Sequence, residues 1–159
     1  MHKTYCVSRD TTRNTLEDYM SIHQNKRLWQ KHVLAENRRS IQGLLDTLCD
    51  EPIYKIMATG EEHRGKDAVG SFYRGLFEAV PDATFDLLNV YVSEEGVVEE
   101  SVLRGTHRGT WLGVEPTGRK IELPLTIVFP MKDGAILGER LYFDVATLMR
   151  QLGVSSEQM

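Results

Sequence analysis

Glu139 stands in a stretch, Ile136 to Phe143, whose alternation places it with Leu137, Leu141 and Phe143 on one face and puts Ile136, Gly138, Arg140 and Tyr142 on the other. A carboxyl on an apolar face loses hydration, holds its proton to higher pH and becomes suited to general acid–base work. The competing reading is an exposed carboxylate, or one paired with Arg140 or Arg104. Glu100 and His107 are the other candidates for proton transfer. They are seven residues apart, so a regular strand points them to opposite faces; a bulge at Gly105 would bring them together as a His–carboxylate pair. Alternatively, His107 bonds a backbone carbonyl near the following turn. Asn37 falls at the centre of a helical apolar face between Val33 and Leu44, where an amide needs a partner, either a ligand or a strand end. Tyr54, Tyr73, Tyr91 and Trp111 suit either the mouth of a pocket or a core. The sequence has no phosphate loop, metal-ligand cluster or nucleophile–base motif.

The elements that must position these residues follow from periodicity. Trp29, Val33, Leu34, Ile41, Leu44, Leu45 and Leu48 share one broad face at 3.6 residues per turn, which predicts a helix over about 26–48, ended by Pro52. A short strand over 53–58, a polar loop over 59–65 and a second helix over about 66–80, stopped by Pro81, come next. Phe85, Leu87, Asn89 and Tyr91 alternate as in a strand, and a three-strand meander follows over 98–143. Its middle strand carries Ile121, Leu123, Leu125, Ile127 and Phe129 on one face, and Lys132-Asp133-Gly134 turns the chain back. Asp144 is placed to cap a last helix over 145–152, and Gly153 to end it. Sequential hairpins make a bent sheet that needs helices over its apolar face. The fold class is therefore α+β: a curved antiparallel sheet covered by helices, forming a cone with an apolar interior. The expected division is an arm over 1–24, one domain over 25–153 and a tail over 154–159.

Composition narrows the function classes. The 159 residues carry a net charge of −4, which provides no basic field for nucleic acid. Cys6 and Cys49 lack disulfide-framework or metal spacing and suit a reducing cytoplasm. No apolar run reaches membrane-spanning length and no signal-peptide core is visible, so a cytoplasmic protein with no membrane partner is expected.

Gly105-Thr106-His107-Arg108-Gly109, Gly113, Pro116-Thr117-Gly118-Arg119, Glu139 through Tyr142-Phe143-Asp144 and Gln151-Leu152-Gly153 together resemble the SnoaL-like proteins. These are relatives of polyketide cyclases in the nuclear-transport-factor-2-like, or ketosteroid isomerase-like, superfamily. The resemblance extends through Gly65-Lys66-Asp67 and Pro81-Asp82 and covers about 26–153. It implies the cone fold, a homodimer packed through the sheet, and pocket carboxylates working without cofactor or metal on a hydrophobic, oxygenated small molecule. The family's cyclases and epoxide hydrolases carry a catalytic Asp three residues before the position of Asp144; here that residue is Leu141. Cyclase chemistry is therefore not carried over intact, and Glu139, one same-face step earlier, becomes the candidate replacement.

Two functions of different class are expected. One is a cyclase or isomerase in which Glu139, assisted by His107 or Glu100, removes a proton next to a carbonyl while Tyr54 or Asn37 holds the oxyanion. Tyr73, Trp111, Leu141 and Phe143 would contact its ligand. The other is a small-molecule binding module that keeps the cone and lacks the chemistry.

Overall fold

The computed structural model describes residues 15–154 and side chains from residue 17 onward. The first fourteen residues of the expected arm, with Cys6, and the tail beyond Val154 lie outside the described residues. The described residues form four helices and six strands in the order α1 (Thr15–Asn37), α2 (Ile41–Leu45), β1 (Leu48–Ile56), β2 (Glu61–Arg64), α3 (Gly65–Ala79), β3 (Thr84–Ser93), β4 (Gly96–Thr106), β5 (Lys120–Lys132), β6 (Ala135–Phe143) and α4 (Val145–Leu152). The strands form one mixed sheet in the order β2-β1-β6-β5-β4-β3. Every neighbouring pair is antiparallel except β1 and β6, which run parallel. The class is α+β, a curved, unclosed sheet with helices against its apolar face.

The period-2 pattern of β5 is the backbone of the core. Ile121, Leu123, Leu125, Ile127, Phe129 and Met131 are all buried, because alternate side chains leave a strand on the same side. Lys132–Ala135 closes the β5–β6 hairpin with positive φ at Asp133 (51°) and Gly134 (75°), the pair of values a tight turn of matching twist requires. Asp144 caps α4 by accepting from the Ala146 amide at 3.0 Å, and Gly153 ends it in the left-handed region.

Three expectations need correction. The helix over 26–48 is two helices. Arg39 takes a left-handed φ of 53° and Ser40 starts α2 by accepting from the Gly43 amide at 3.2 Å. Apolar residues continue in phase across the break because both helices pack on the same core, so periodicity alone shows no interruption. The loop over 59–65 contains β2, which pairs with β1 from Ile53↔Arg64 to Ile56↔Glu61. Gly105 makes no bulge: β4 and β5 pair without a slip from Gly96↔Pro130 to Thr106↔Lys120. A Cβ at Gly105 would stand 2.2 Å from Val80 Cγ1, so glycine lets the end of α3 close on the sheet.

The bulge that matters is in β6. Between Val128↔Arg140 and Met131↔Ile136, β6 spends one residue more than β5. The extra residue flips the alternation. Ile136 and Glu139 are therefore both buried, and Leu137, expected beside Glu139, is 38% exposed. Gly138 sits in the bulge at φ 141°, and a Cβ there would meet the Ile53 carbonyl oxygen at 2.0 Å. Only glycine lets β1 run this close. Gly138→Ala should lose at least about 2 kcal/mol of stability and loosen the placement of Glu139. Urea denaturation measures the first effect, and an unchanged midpoint would contradict it.

Candidate functional site

α1 brings Asn25, Trp29, His32, Ala35 and Glu36 to its buried stripe. Across from it stand Tyr73 of α3, Tyr54 of β1, Glu99 of β4 and Glu139 of β6, all buried. The register Tyr54↔Glu139 in the parallel β1–β6 pair sets these two side by side on neighbouring strands. A cavity of about 300 Å³ lies between α1, α3 and the concave face of the sheet. Glu36, Tyr73 and Glu139 are among its polar residues; Phe72, Leu76, Leu125, Ile127, Leu141 and Phe143 are among its apolar walls.

The hydrogen bonds at the cavity wall have a determined direction. Thr47 donates its hydroxyl proton to the Leu44 carbonyl at 2.6 Å. It can then only accept from His32 Nδ1, which is 2.6 Å away, so Nδ1 carries a proton. His32 Nε2 lies 3.0 Å from Glu139 Oε1. Two acceptors at that distance need a proton between them. The pair is therefore either imidazolium with carboxylate or imidazole with carboxylic acid, and in both forms it is neutral overall. Tyr73 donates to the same Oε1 at 2.8 Å, and since its proton is committed there, Tyr54 donates to Tyr73 at 3.3 Å. Burial, reinforced by the charge of Glu139, pushes both tyrosine hydroxyls well above their ordinary pKa, so they remain donors.

Two further carboxyls complete the cluster. Glu99 accepts from Trp29 Nε1 at 2.9 Å; burial raises its pKa and that hydrogen bond partly opposes the rise. Glu36 has no hydrogen-bond partner among the described residues. Its pKa is raised well above the usual carboxylate range, first by burial and then by Glu139 and Glu99. On β2, Glu61 and His63 also line the cavity, 3.2 Å apart, with the His63 ring on Phe72.

Glu139, Tyr73, Trp111, Leu141 and Phe143 thus stand in the cavity wall. The other expected site residues stand elsewhere. Tyr54 is fully buried behind Tyr73 and is not in the wall. Tyr91 is 58% exposed on the outer face of the sheet. Glu100 also points outward, where Asn89 Nδ2 donates to it at 2.8 Å; its inward neighbour is Glu99. His107 is buried away from the cavity. Its Nδ1 accepts from the Thr117 amide at 3.3 Å, and its backbone amide and carbonyl bond Arg119 and Gly118, so it holds together the loop that carries Trp111. Burial lowers its pKa and keeps it neutral. Asn37 is exposed at the last residue of α1. A single helix continued through 41–48 would have Asn37 at the centre of its apolar face, roughly a third of a turn from the buried stripe of α1. Confined to 15–37, the stripe runs through Trp29, His32 and Glu36. The +3 and +4 spacing of two ionisable residues beside Trp29 was the available signal. Nothing in the sequence distinguished Glu61 and His63 from an ordinary polar loop.

A family model described as SnoaL-like polyketide cyclase matches residues 26–152. No curated protein matches the chain. Among solved structures, a candidate SnoaL-like polyketide cyclase from Jannaschia sp. CCS1 superposes with a TM-score of 0.75 at 23% identity, covering 84% of this chain and 94% of that one. A candidate polyketide cyclase from Xanthomonas campestris pv. campestris gives 0.74 at 23%, covering 83% and 98%. An NTF2-like protein from Burkholderia xenovorans LB400 gives 0.70 at 19%, covering 84% and 98%. At these identities the superpositions establish the shared fold.

The raised pKa of Glu36 has a sign that can be measured. The unfolded glutamate ionises near its ordinary value of about 4.3, while the folded one holds its proton to higher pH. Folding therefore takes up a proton above the unfolded pKa, and stability contributed through this group falls as pH rises through the folded value. Glu36→Gln should flatten that decline. Urea midpoints compared at pH 5 and pH 8 test it; an equal decline in both proteins would contradict the assignment.

Proposed function

This chain belongs to the SnoaL-like polyketide cyclase family, and from that premise we propose that it moves a proton on a hydrophobic, oxygenated small molecule, in a cyclisation or isomerisation, with its own side chains and no cofactor. Glu139 is the base. The observation that carries this reading is its place in the cavity wall, bonded to His32 and Tyr73 through one oxygen only. Oε2 keeps its lone pairs for the substrate. The neighbouring apolar walls exclude water and raise the strength of every charge interaction inside.

The His32–Glu139 pair begins neutral. When Glu139 takes a proton from carbon next to a carbonyl, the pair becomes cationic as the substrate becomes an enolate. Charge is created and balanced within the cavity, with His32 held in place by Thr47 and Tyr73 orienting the carboxylate. Returning the proton to a different atom completes an isomerisation; attack of the enolate on a second carbonyl completes a cyclisation. Trp111, Leu141 and Phe143 contact the apolar part of the substrate.

Leu141 favours a second reading, a binding module of the same fold. It stands in the cavity wall at the position where the family's cyclases place their acid, so that part of the chemistry is missing here.

Deuterium exchange separates the two. Incubated in D2O with a panel of aromatic β-diketones, the protein should accelerate exchange of the acidic C–H, followed by proton NMR. Glu139→Gln should keep the fold and lower the rate by roughly 10²–10⁴-fold. Exchange unaffected by the substitution would remove Glu139 as base, and no exchange with any of the panel would favour the binding module.

We also propose a cytoplasmic homodimer. The face of the sheet opposite the cavity carries cross-strand rows that include Tyr91, Val98, Val128 and Arg140, with Tyr142 beside them. Tyr91 and Tyr142 are exposed, and a second copy laid on this face would cover them. Among the described residues no helix is long and apolar enough to cross a membrane. Light scattering at micromolar concentration should give twice 18.1 kDa; a stable monomer would remove the dimer.

A further inference from the structure

Two buried carboxyls, Glu36 and Glu139, line the cavity, and a third, Glu99, is buried close to them; two of the three have donors within the protein. Glu99 has the indole of Trp29, and Glu139 has Tyr73 and His32. Glu36 has neither a donor nor an acceptor among the described residues, although it is only 6% exposed and lines the cavity. A buried polar group without a partner is costly, and the space in front of Glu36 is where a ligand would sit. The charged or titratable groups around it are Glu139 on β6, Glu99 on β4, His32 on its own helix, and Tyr73 and Tyr54 on α3 and β1; Glu61 and His63 of β2 stand in the same cavity. Among the described residues no lysine or arginine lines it.

We propose that Glu36 is a specificity-determining residue: as a neutral carboxylic acid it donates a hydrogen bond to an uncharged oxygen of the ligand, a carbonyl or hydroxyl, and so selects neutral molecules over carboxylates. The inference rests on the cavity being the ligand site of the preceding reading, but not on any turnover there. Its physical basis is burial, which disfavours the charged form of Glu36, and the neighbouring carboxyls of Glu139 and Glu99 act in the same direction. The protonated carboxyl is a donor in want of an acceptor. A ligand carbonyl meets that need without adding charge. A ligand carboxylate brings an anion beside buried carboxyls, into a wall with no lysine or arginine among the described residues to receive it. For an enolising substrate the same hydrogen bond strengthens as charge develops on the oxygen.

Equilibrium binding tests this without chemistry, so its result is separate from that of the exchange experiment. Three probes share one aromatic frame and differ in charge: 2-acetylnaphthalene, 2-naphthoate and 2-naphthylmethylammonium. Their dissociation constants would be measured by fluorescence from pH 5 to 9 for the unaltered protein, Glu36→Gln and Glu36→Leu. The ketone should bind more tightly than naphthoate and weaken as pH rises and Glu36 loses its proton. Glu36→Gln, which keeps a neutral donor, should bind the ketone with a flat pH profile. Glu36→Leu should bind it about tenfold more weakly, as expected for a lost hydrogen bond. If Glu36→Leu does not fold, the contrast between the sloping and flat profiles decides alone. Naphthoate binding as tightly as the ketone, a slope that persists in Glu36→Gln, or an ammonium probe that binds tightest and tightens with pH would overturn the proposal. Binding of none of the three would overturn it as well.

Discussion

One hydroxyl proton decides the chemistry of the cavity wall. Thr47 spends it on the Leu44 carbonyl at the end of α2, and is left able only to accept. That obliges His32 to present Nδ1–H to Thr47 and its other nitrogen to Glu139. The orientation of the imidazole, the shared proton of the pair and the direction of the two tyrosine hydrogen bonds all follow. The break between α1 and α2 is part of the same constraint, because a continuous helix would carry Leu44 and Thr47 away from the position in which they anchor the ring. A buried ion pair contributes little net stability, but removing one partner costs about 3–5 kcal/mol. The value of this arrangement is therefore geometric: it holds one carboxylate oxygen still and leaves the other accessible.

The bulge at Gly138 is the second half of that geometry. Without it, Leu137 and Glu139 would share a face, and the buried Ile136 would face the other way. With it, β6 begins with Ile136 in the core and continues with Glu139, Leu141 and Phe143 toward the cavity. The close approach of β1, at the Ile53 carbonyl, is possible because residue 138 has no side chain. The parallel pairing of β1 with β6 then brings Tyr54 level with Glu139. A local irregularity of one residue thus determines both what the carboxylate faces and which hydroxyls reach it.

The departure from the family pattern also reads differently in three dimensions. Leu141 puts an apolar side chain in the wall, yet acids are close by: Glu36 and Glu139 line the cavity and Glu99 is buried near them, each from a different element. They are also not equivalent. Glu99 is tied to an indole, Glu139 to an imidazole and a phenol, and Glu36 to nothing among the described residues. Environments that differ this much separate the protonation behaviour of chemically identical groups, which is how one site can hold both a base and a donor.

The α+β class, the buried face of β5, the hairpin at Asp133-Gly134, the cap at Asp144 and the likeness to SnoaL-like proteins are all legible in the order of the residues. Each of these rests on local periodicity, turn chemistry or a contiguous motif, and such signals survive in one dimension. The sequence also singled out Glu139 with Leu141 and Phe143 on one strand, Tyr73 on a regular helix, and Trp111 in the loop between β4 and β5, all in the cavity wall. Tertiary structure alone decided the partners. His32 and Glu139 are 107 residues apart, Trp29 and Glu99 are 70 apart, and no spacing rule connects them. Asn37 and Glu100 were displaced from the site by a helix break and by strand parity, and His107 by its place in a loop. The break at Arg39 starts a new helix while the apolar phase runs on, and the bulge at Gly138, where the β1 backbone comes close, resets the facing of β6; periodicity records neither.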